Sequence, residues 1–225
     1  MMKSIKQGLL KKYQSVSLER KAIDLFRKYQ DFTMIPKNQY IANLRIVFNH
    51  RFVPGDIVEC GVWKGGMIAG IAELIGTKKA FLFDSYEGLP DAKEIDGETA
   101  IAWQKNLKGP YYFDNCSADE RYALEAMSLS GCNFESIKGW FDVTLAQASQ
   151  IEKISILRLD ADWYDSTYIC LKELFPKVSK GGVIIIDDYF TWDGCSRAVH
   201  DYLSSISSLS KINCTDSVGF IKKLD

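Results

Sequence analysis

Residues 57–84, IVECGVWKGGMIAGIAELIGTKKAFLFD, decide the fold class of this chain. A short apolar run ends at a glycine, a helical pattern follows over Gly65–Ile75, and a second apolar run ends at Asp84. Gly76 is typical of a residue that ends a helix, because glycine adopts the left-handed conformation at little cost. The stretch therefore predicts a strand, a helix and a second strand, which form the repeating unit of a parallel sheet.

The same alternation of strand and helix patterns continues to residue 206. Further strands are predicted over Phe134–Lys138, Ile154–Asp160 and Val183–Asp187, and helices over residues 98–106, 117–128, 142–149, 164–175 and 193–205. Ser117 and Glu120 are predicted to form a capping box at the start of the helix over residues 117–128. This alternation indicates an α/β fold, with a mostly parallel sheet and helices on both of its faces.

Two short strands are predicted at the end of the chain, over Ile212–Cys214 and Gly219–Lys223. They are too close together for a crossover helix, so we expect them to pair in antiparallel fashion. They bring the predicted sheet to seven strands.

The first 50 residues have a different pattern, with apolar residues at helical spacing over Leu18–Tyr29 and Asn38–Phe48. We predict an N-terminal helical extension over residues 1–50 and one domain over residues 51–225, in keeping with a length of 225 residues. The apolar faces of the N-terminal helices are candidates for a homo-oligomer interface. Residues 86–115, rich in glycine and aromatic residues, are the candidate for a lid.

Composition excludes several classes of protein. The formal net charge is −1, so the basic surface typical of nucleic-acid binding is absent from the overall balance. No apolar run is long enough to span a bilayer, and the basic N-terminus lacks the apolar region of a secretory signal. We therefore expect a cytoplasmic protein with no membrane or nucleic-acid partner. Only two histidines are present, His50 and His200, which disfavours a His/Cys zinc site.

Two acidic residues stand at the carboxyl ends of the first two predicted strands, the edge where such sheets bind ligands. Glu59 precedes a glycine-containing turn whose spacing does not match the dinucleotide fingerprint. A carboxylate there repels a pyrophosphate and attracts a cation, such as the amino group of a methionine moiety. Asp84 can accept the hydroxyls of a ribose. The pair favours S-adenosylmethionine over NAD, although a plain turn with both carboxylates capping backbone amides remains open.

Three more carboxylates follow the fourth and fifth predicted strands. Asp160 ends one strand, and Asp187 and Asp188 end the next. Neighbouring strands lie about 4.8 Å apart, so these three groups can converge, and they repel one another unless a cation joins them. Hard oxygen ligands with no histidine or cysteine nearby favour Mg²⁺. The alternative is that Asp187 alone faces the cleft while Asp188 caps the next segment; the roles of Asp162 and His200 stay open.

Five separated motifs carry a resemblance to a known family. They are VECGVWKGG (58–66), FDSYEGLP (83–90), KGWFDVTL (138–145), LRLDADWYDST (157–167) and IIIDDYFTWDGCSRAVHDYL (184–203). In this order they resemble the macrocin O-methyltransferase family, over about residues 50 to 205. The resemblance implies a Rossmann-like class I methyltransferase fold and a metal-dependent enzyme that methylates sugar hydroxyls with S-adenosylmethionine.

The resemblance also implies roles for individual residues. Glu59 and Gly61 would lie beside the methionine part of the cofactor, Asp84 and Ser85 beside the ribose, and Trp140 near the adenine. Asp160, Asp187 and Asp188 would bind Mg²⁺, with Asp160 also accepting the proton. The chain departs from the family's common DGD at Asp160-Ala161-Asp162 and carries Trp163 where smaller or aliphatic residues are common, which leaves the acceptor open.

Three other classes of function remain. The first is a metal-dependent methyltransferase with a nitrogen or catechol-type acceptor. The second is a non-catalytic sugar-binding partner in glycan assembly, which predicts no cofactor affinity. The third is an NAD oxidoreductase, which the missing glycine fingerprint disfavours.

Overall fold

The computed structural model describes the backbone of residues 2–224 and the side chains of residues 16–224. The side chains of residues 1–15 of the predicted N-terminal extension are therefore outside the described part. The strands within this range are β1 (Asp56–Cys60), β2 (Ala80–Asp84), β3 (Phe134–Lys138), β4 (Ile154–Leu159), β5 (Val178–Ile186), β6 (Ile212–Thr215) and β7 (Val218–Lys222). They form one sheet in the order β3-β2-β1-β4-β5-β7-β6.

The sheet is mixed rather than uniformly parallel. The pairings among β1 to β5 are parallel, whereas β7 lies between β5 and β6 and pairs antiparallel with both. The predicted parallel arrangement therefore holds for the first five strands, and the predicted antiparallel pairing of the last two is confirmed. The strand order reverses at β1, so the crevice beyond β1 and β4 is where this topology binds ligands.

Helices cover both faces of the sheet. The α-helices are α1 (Met2–Tyr29), α2 (Lys37–His50), α3 (Gly66–Ile75), α4 (Glu98–Lys105), α5 (Glu120–Ser130), α6 (Phe141–Thr144), α7 (Tyr164–Leu174) and α8 (Asp193–Ser205), of which α4 packs against the loops that follow β4 and β5 rather than on the sheet. Because side chains alternate along a strand, Ile57 packs on one face beneath α1, α2, α3 and α5, while Val58 packs on the other beneath α7 and α8.

The N-terminal helices are part of the first of these two hydrophobic clusters. Ala22, Leu25 and Tyr29 of α1 are fully buried there, as are Tyr40 and Leu44 of α2. Their apolar faces are therefore used within the chain. Homo-oligomerisation through these helices, and the division of the chain at residue 50, stay predictions.

Several predicted boundaries need correction. Asp119, not Ser117, caps α5: its carboxylate accepts the Arg121 N–H at 3.0 Å, while the Ser117 hydroxyl donates to Asp114 at 2.8 Å. The strand predicted from residue 183 begins at Val178 and includes the two glycines before it. The helix predicted over residues 142–149 is the shorter α6, followed by a 3-10 turn. In the described part of the chain, no helix is long and apolar enough to cross a membrane.

Candidate active site

A cleft of about 1080 Å³, including the part open to solvent, lies at the carboxyl edge of β1, β2, β4 and β5. Its charged lining consists of one guanidinium, Arg158, and six carboxylates: Glu59, Asp84, Asp160, Asp162, Asp187 and Asp188. Residues 32–36, between α1 and α2, form another part of the wall. The excess of carboxylates over the single guanidinium favours a ligand that carries positive charge.

Gly61 brings the ends of β1 and β4 together. Its φ of +83° lies in the left-handed region, and a Cβ at this position would lie 1.7 Å from the Asp160 carbonyl oxygen. The Asp160 N–H donates to the Cys60 carbonyl at 2.9 Å across the same junction. Only glycine permits this approach, which places Glu59 and Asp160 close enough to share one partner.

Asp84 holds the turn between β1 and α3. One of its oxygens accepts the N–H groups of Val62 at 2.6 Å and Trp63 at 2.8 Å, and the other accepts the Tyr86 N–H at 2.7 Å. A carboxylate offers about four acceptor positions, so three amides leave one for a ligand hydroxyl. The structure thus shows the capping role that the sequence left open, and the ribose-binding role stays a prediction.

Ser85 and Trp140 lie on the same side of the cleft as Asp84. The Ser85 hydroxyl accepts the Glu87 N–H at 3.1 Å and donates weakly to the Gly88 carbonyl. Trp140 precedes α6, is 39% exposed and lines the cleft. Both lie beside the ends of β2 and β3 and line the cleft, and their roles at the ribose and the adenine stay predictions.

Asp160, Asp187 and Asp188 converge as predicted. Each offers one carboxylate oxygen, and these three oxygens lie within 4.8 Å of one another. Asp160 and Asp187 are the first residues beyond β4 and β5, which are adjacent in the sheet. Asp188 is 8% exposed and accepts the Asp162 N–H at 3.2 Å. The alternative, in which Asp187 alone faces the cleft while Asp188 caps the next segment, does not hold, because Asp188 also lines the cleft.

Arg158 is a component of the site that sequence reasoning missed. It lies in β4 with a side chain only 1% exposed, and it forms ion pairs with Glu59 at 2.6 Å, Asp160 at 2.9 Å and Asp187 at 2.5 Å. The available signal was an arginine inside the apolar run ISILRLD, since a fully buried arginine needs carboxylate partners.

Asp162, whose role the sequence left open, also lines the cleft. Its backbone adopts a φ of +55°, which is uncommon for a residue with a side chain, and its carboxylate accepts the Trp192 Nε1–H at 3.0 Å. His200 lies elsewhere, with its Nε2 at 2.9 Å from the Tyr189 hydroxyl. It does not line the cleft, which disfavours a role as the base.

The segment predicted to form a lid is folded against the loops that follow β4 and β5. Trp163 donates to the Pro90 carbonyl at 2.9 Å, and the Tyr164 N–H donates to Asp96 at 2.7 Å. Trp103 packs edge-on against Trp163, with ring centroids 6.1 Å apart. This segment lines the cleft through Gly88, Leu89 and Pro90 and not through its aromatic run at residues 111–113. Closure of residues 86–115 as a lid stays a prediction.

Burial and mutual repulsion favour the protonated forms of several cleft carboxyls. Burial raises the pKa of Glu59 to about 8 although Arg158 opposes the shift. Burial and the charge of Asp160 raise the pKa of Asp162 to about 8, and burial raises that of Asp187 to about 6 against the effect of Arg158. The pKa of Asp188 is raised well above its ordinary value by burial and by Asp162. A cation bound among these carboxylates would relieve both effects.

These shifts predict how the stability of the metal-free protein depends on pH. A carboxyl with a higher pKa in the folded chain binds more protons when folded, so its contribution is present at low pH and is lost as the pH rises through the folded value. With values of about 6 and 8, the free energy of unfolding should fall from pH 5 to pH 8, by about 1 kcal/mol or more.

Urea unfolding at the two pH values measures this effect. Glu59→Gln removes one of the titrating groups and should give a smaller fall than the wild-type protein. A free energy of unfolding that increases from pH 5 to pH 8 would contradict the raised pKa values of the cleft carboxyls.

The comparisons with known proteins match this chain to a family model and to individual O-methyltransferases. The model of the macrocin-O-methyltransferase (TylF) family matches residues 5–222. Demethyldecarbamoylnovobiocin O-methyltransferase of Streptomyces niveus is 33% identical over 172 residues, covering 74% of this chain and 65% of that protein. The 8-demethyl-8-(2,3-dimethoxy-alpha-L-rhamnosyl)-tetracenomycin-C 4'-O-methyltransferase of Streptomyces olivaceus is 32% identical over 176 residues, with the same two coverages.

A solved structure gives the same result. The O-methyltransferase NovP matches with a TM-score of 0.71 and 28% identity, covering 86% of this chain and 83% of that one. The alignments with the two curated relatives extend over about 65% of each relative's length.

Proposed function

This chain belongs to the macrocin O-methyltransferase family, and on that premise we propose that it transfers a methyl group from S-adenosylmethionine to a sugar hydroxyl of a glycosylated natural product or glycan precursor. The observation that carries the proposal is the cleft itself. Glu59, a buried carboxylate suited to a cationic cofactor, and the cluster of three aspartates lie on either side of Arg158. The guanidinium forms ion pairs with Glu59 and with two of the aspartates.

The cofactor half of the cleft suits S-adenosylmethionine, whose sulfonium and amino groups are both cationic. Glu59 Oε1 pairs with Arg158, but its Oε2 is buried with no hydrogen-bond partner among the described residues. A buried carboxylate oxygen without a partner is costly, and an ammonium group at this position would satisfy it. In this proposal, Asp84 with its remaining acceptor position and Ser85 would contact the ribose, and Trp140 would lie near the adenine.

The acceptor half suits a divalent cation. Asp160, Asp187 and Asp188 supply only carboxylate oxygens, the donor set that Mg²⁺ prefers. When bound, Mg²⁺ would lower the pKa of the acceptor hydroxyl and orient it. A sugar hydroxyl is a poor nucleophile at neutral pH, so this chemistry is what the reaction requires.

The residues of the chain supply the remaining steps. Asp160 lies beside the cofactor half and would take the proton of the attacking hydroxyl as its general base. The walls formed by residues 32–36 and 88–90 would hold the two substrates together and limit water, which matters because the sulfonium loses its charge in the transition state. The hydroxyl oxygen forms a bond to the methyl carbon while the carbon–sulfur bond breaks.

Methylation assays test the proposal. The purified protein is incubated with S-adenosylmethionine, Mg²⁺ and a panel of glycosylated aglycones, catechols and amines, and products are identified by mass spectrometry. We expect one added methyl group on a sugar of a glycosylated acceptor and loss of turnover with a chelator. Methylation of the catechols or amines alone would move the assignment to a non-sugar acceptor.

Asp84→Ala is expected to weaken binding of S-adenosylhomocysteine by about tenfold or more, because it removes the acceptor of three backbone amides and a proposed ribose ligand. Calorimetric titration measures the affinity. Asp24→Ala, which removes a carboxylate that is 67% exposed on α1, is the matched control and should bind like wild type. Equal affinity of the Asp84 variant would exclude this residue from the cofactor site.

A further inference from the structure

Arg158 lies in the middle of the sheet and contacts three acidic residues from adjacent strands. Its Nη1 donates to Glu59 Oε1 and Asp160 Oδ2, whereas its Nη2 lies 2.5 Å from Asp187 Oδ1 in an ion pair that lacks hydrogen-bond geometry. Its Nε donates to Asn43 of α2 at 3.3 Å, and Asn43 is itself fully buried. The guanidinium is thus anchored by Asn43 of α2, and its two terminal nitrogens pair with the carboxylates that line the cleft.

Each aspartate of the cluster has one oxygen that is held and one that is not. Arg158 holds Asp160 Oδ2 and Asp187 Oδ1, and the Asp162 N–H holds Asp188 Oδ2. The other oxygen of each carboxylate has no hydrogen-bond partner among residues 16–224. Three carboxylates are therefore fixed in orientation while each retains an oxygen for a ligand.

We propose that Arg158 is a positioning residue for the cation site, which sets the separation and orientation of Asp160 and Asp187. The inference rests on the proposed function, since it takes the three aspartates as ligands of a divalent cation. Without a partner, like charges within 4.8 Å of one another separate by rotating about their side-chain bonds. The guanidinium opposes this because Nη1 hydrogen-bonds to Asp160 while the positive charge at Nη2 attracts Asp187 from the neighbouring strand.

Lysine cannot replace Arg158 in this role although it keeps the charge. Its single nitrogen can pair with Glu59 or with one aspartate, but it lacks the planar fork that spans Asp160 and Asp187. Arg158→Lys therefore separates geometry from charge. A neutral residue at position 158 would change both the geometry and the charge, because loss of the positive charge would itself strengthen the attraction of the aspartates for a cation.

The test is calorimetric titration of the whole chain with Mg²⁺ alone and, separately, with S-adenosylhomocysteine alone. We expect Arg158→Lys to bind Mg²⁺ at least about tenfold more weakly than wild type, while its affinity for S-adenosylhomocysteine changes by less than about threefold, since the lysine still compensates Glu59. Arg45→Lys is the matched control. Arg45 also pairs with two carboxylates, Glu19 and Asp216, but on the surface, and its variant should bind both ligands like wild type.

The outcomes separate this inference from the proposed function. Equal Mg²⁺ affinity in wild type and Arg158→Lys overturns the positioning role and leaves the cation site intact. Absence of Mg²⁺ binding by the wild-type protein overturns both, while the titration with S-adenosylhomocysteine still reports on the cofactor half. A purely structural role predicts a lower melting temperature for Arg158→Lys with equal losses of both affinities.

A second measurement does not depend on the variant folding. In a crystal structure of the wild-type protein with Mg²⁺, Arg158 should keep its contacts with Asp160 and Asp187 while the cation contacts the other oxygen of each carboxylate. Rotation of both carboxylates away from Arg158 on binding Mg²⁺ would overturn the inference.

Discussion

Asp160→Asn is expected to lower methyl transfer by about a hundredfold or more, because a neutral amide can neither accept the proton of the attacking hydroxyl nor contribute charge to the cation site. The substitution keeps the shape of the side chain, and the amide oxygen can still accept from Arg158 as Asp160 Oδ2 does now at 2.9 Å. The fold and the cofactor half should therefore persist. Turnover is measured on the acceptor that wild type methylates, and S-adenosylhomocysteine affinity by calorimetry.

The control for this prediction is Asp24→Asn, which changes an exposed carboxylate of α1 and should turn over like wild type. Wild-type turnover in Asp160→Asn would remove Asp160 from the chemistry. A parallel loss of turnover and cofactor affinity would instead show that the substitution disrupts the whole cleft.

Gly61→Ala is expected to lower the free energy of unfolding by about 3 kcal/mol or more. The added Cβ would meet the Asp160 carbonyl oxygen at 1.7 Å, and the backbone at φ +83° is unfavourable for any residue with a side chain. Relief requires β1 and β4 to move apart at the point where Glu59 and Asp160 share Arg158. The substitution should therefore weaken cofactor binding as well as stability.

Gly76→Ala is the control that separates the cost of backbone strain from the cost of steric overlap in Gly61→Ala. Gly76 ends α3 at a similar φ of +73°, but a Cβ there meets nothing within 4 Å, so only the backbone cost of about 1 kcal/mol applies. Urea unfolding of the two variants measures the difference. Equal losses of stability would show that β1 and β4 accommodate the methyl group without moving apart.

Much of the fold follows from local sequence pattern. The stretch from Ile57 to Asp84 predicted strand, helix and strand with boundaries within one residue of those observed, because buried parallel strands and a glycine-ended helix leave clear local signals. The antiparallel pairing of the last two strands followed from the short connection alone. The insertion of β7 between β5 and β6 did not, because strand order depends on contacts that no local pattern records.

The errors fall where local signals compete. Ser117 and Asp119 are both residue types that favour the N-cap position of a helix. Asp119 takes this position after a turn in which Phe113 to Cys116 all adopt positive φ, a conformation that the composition does not predict. The start of β5 was missed because Gly181 and Gly182 are typical of a turn before a strand rather than of its interior.

The sequence predicted which residues stand at the strand ends of the site, but not the hydrogen bonds and ion pairs that connect them. The convergence of Asp160, Asp187 and Asp188 follows from two adjacent parallel strands that end in acids. The hydrogen bonds of Asp84 to three amides depend on the turn conformation, which sequence does not specify. The ion pairs of Arg158 require side chains from three strands to meet, which no local pattern predicts. The contribution of residues 32–36 to the cleft likewise depends on how α1 and α2 pack.

Calorimetric titration of the purified protein with S-adenosylhomocysteine, with and without Mg²⁺, tests the central claim most directly. The account predicts saturable binding of one molecule per chain with an affinity of roughly micromolar order. Absence of binding under either condition would contradict it, and the fold would then belong to a protein without the cofactor, as the sugar-binding alternative requires.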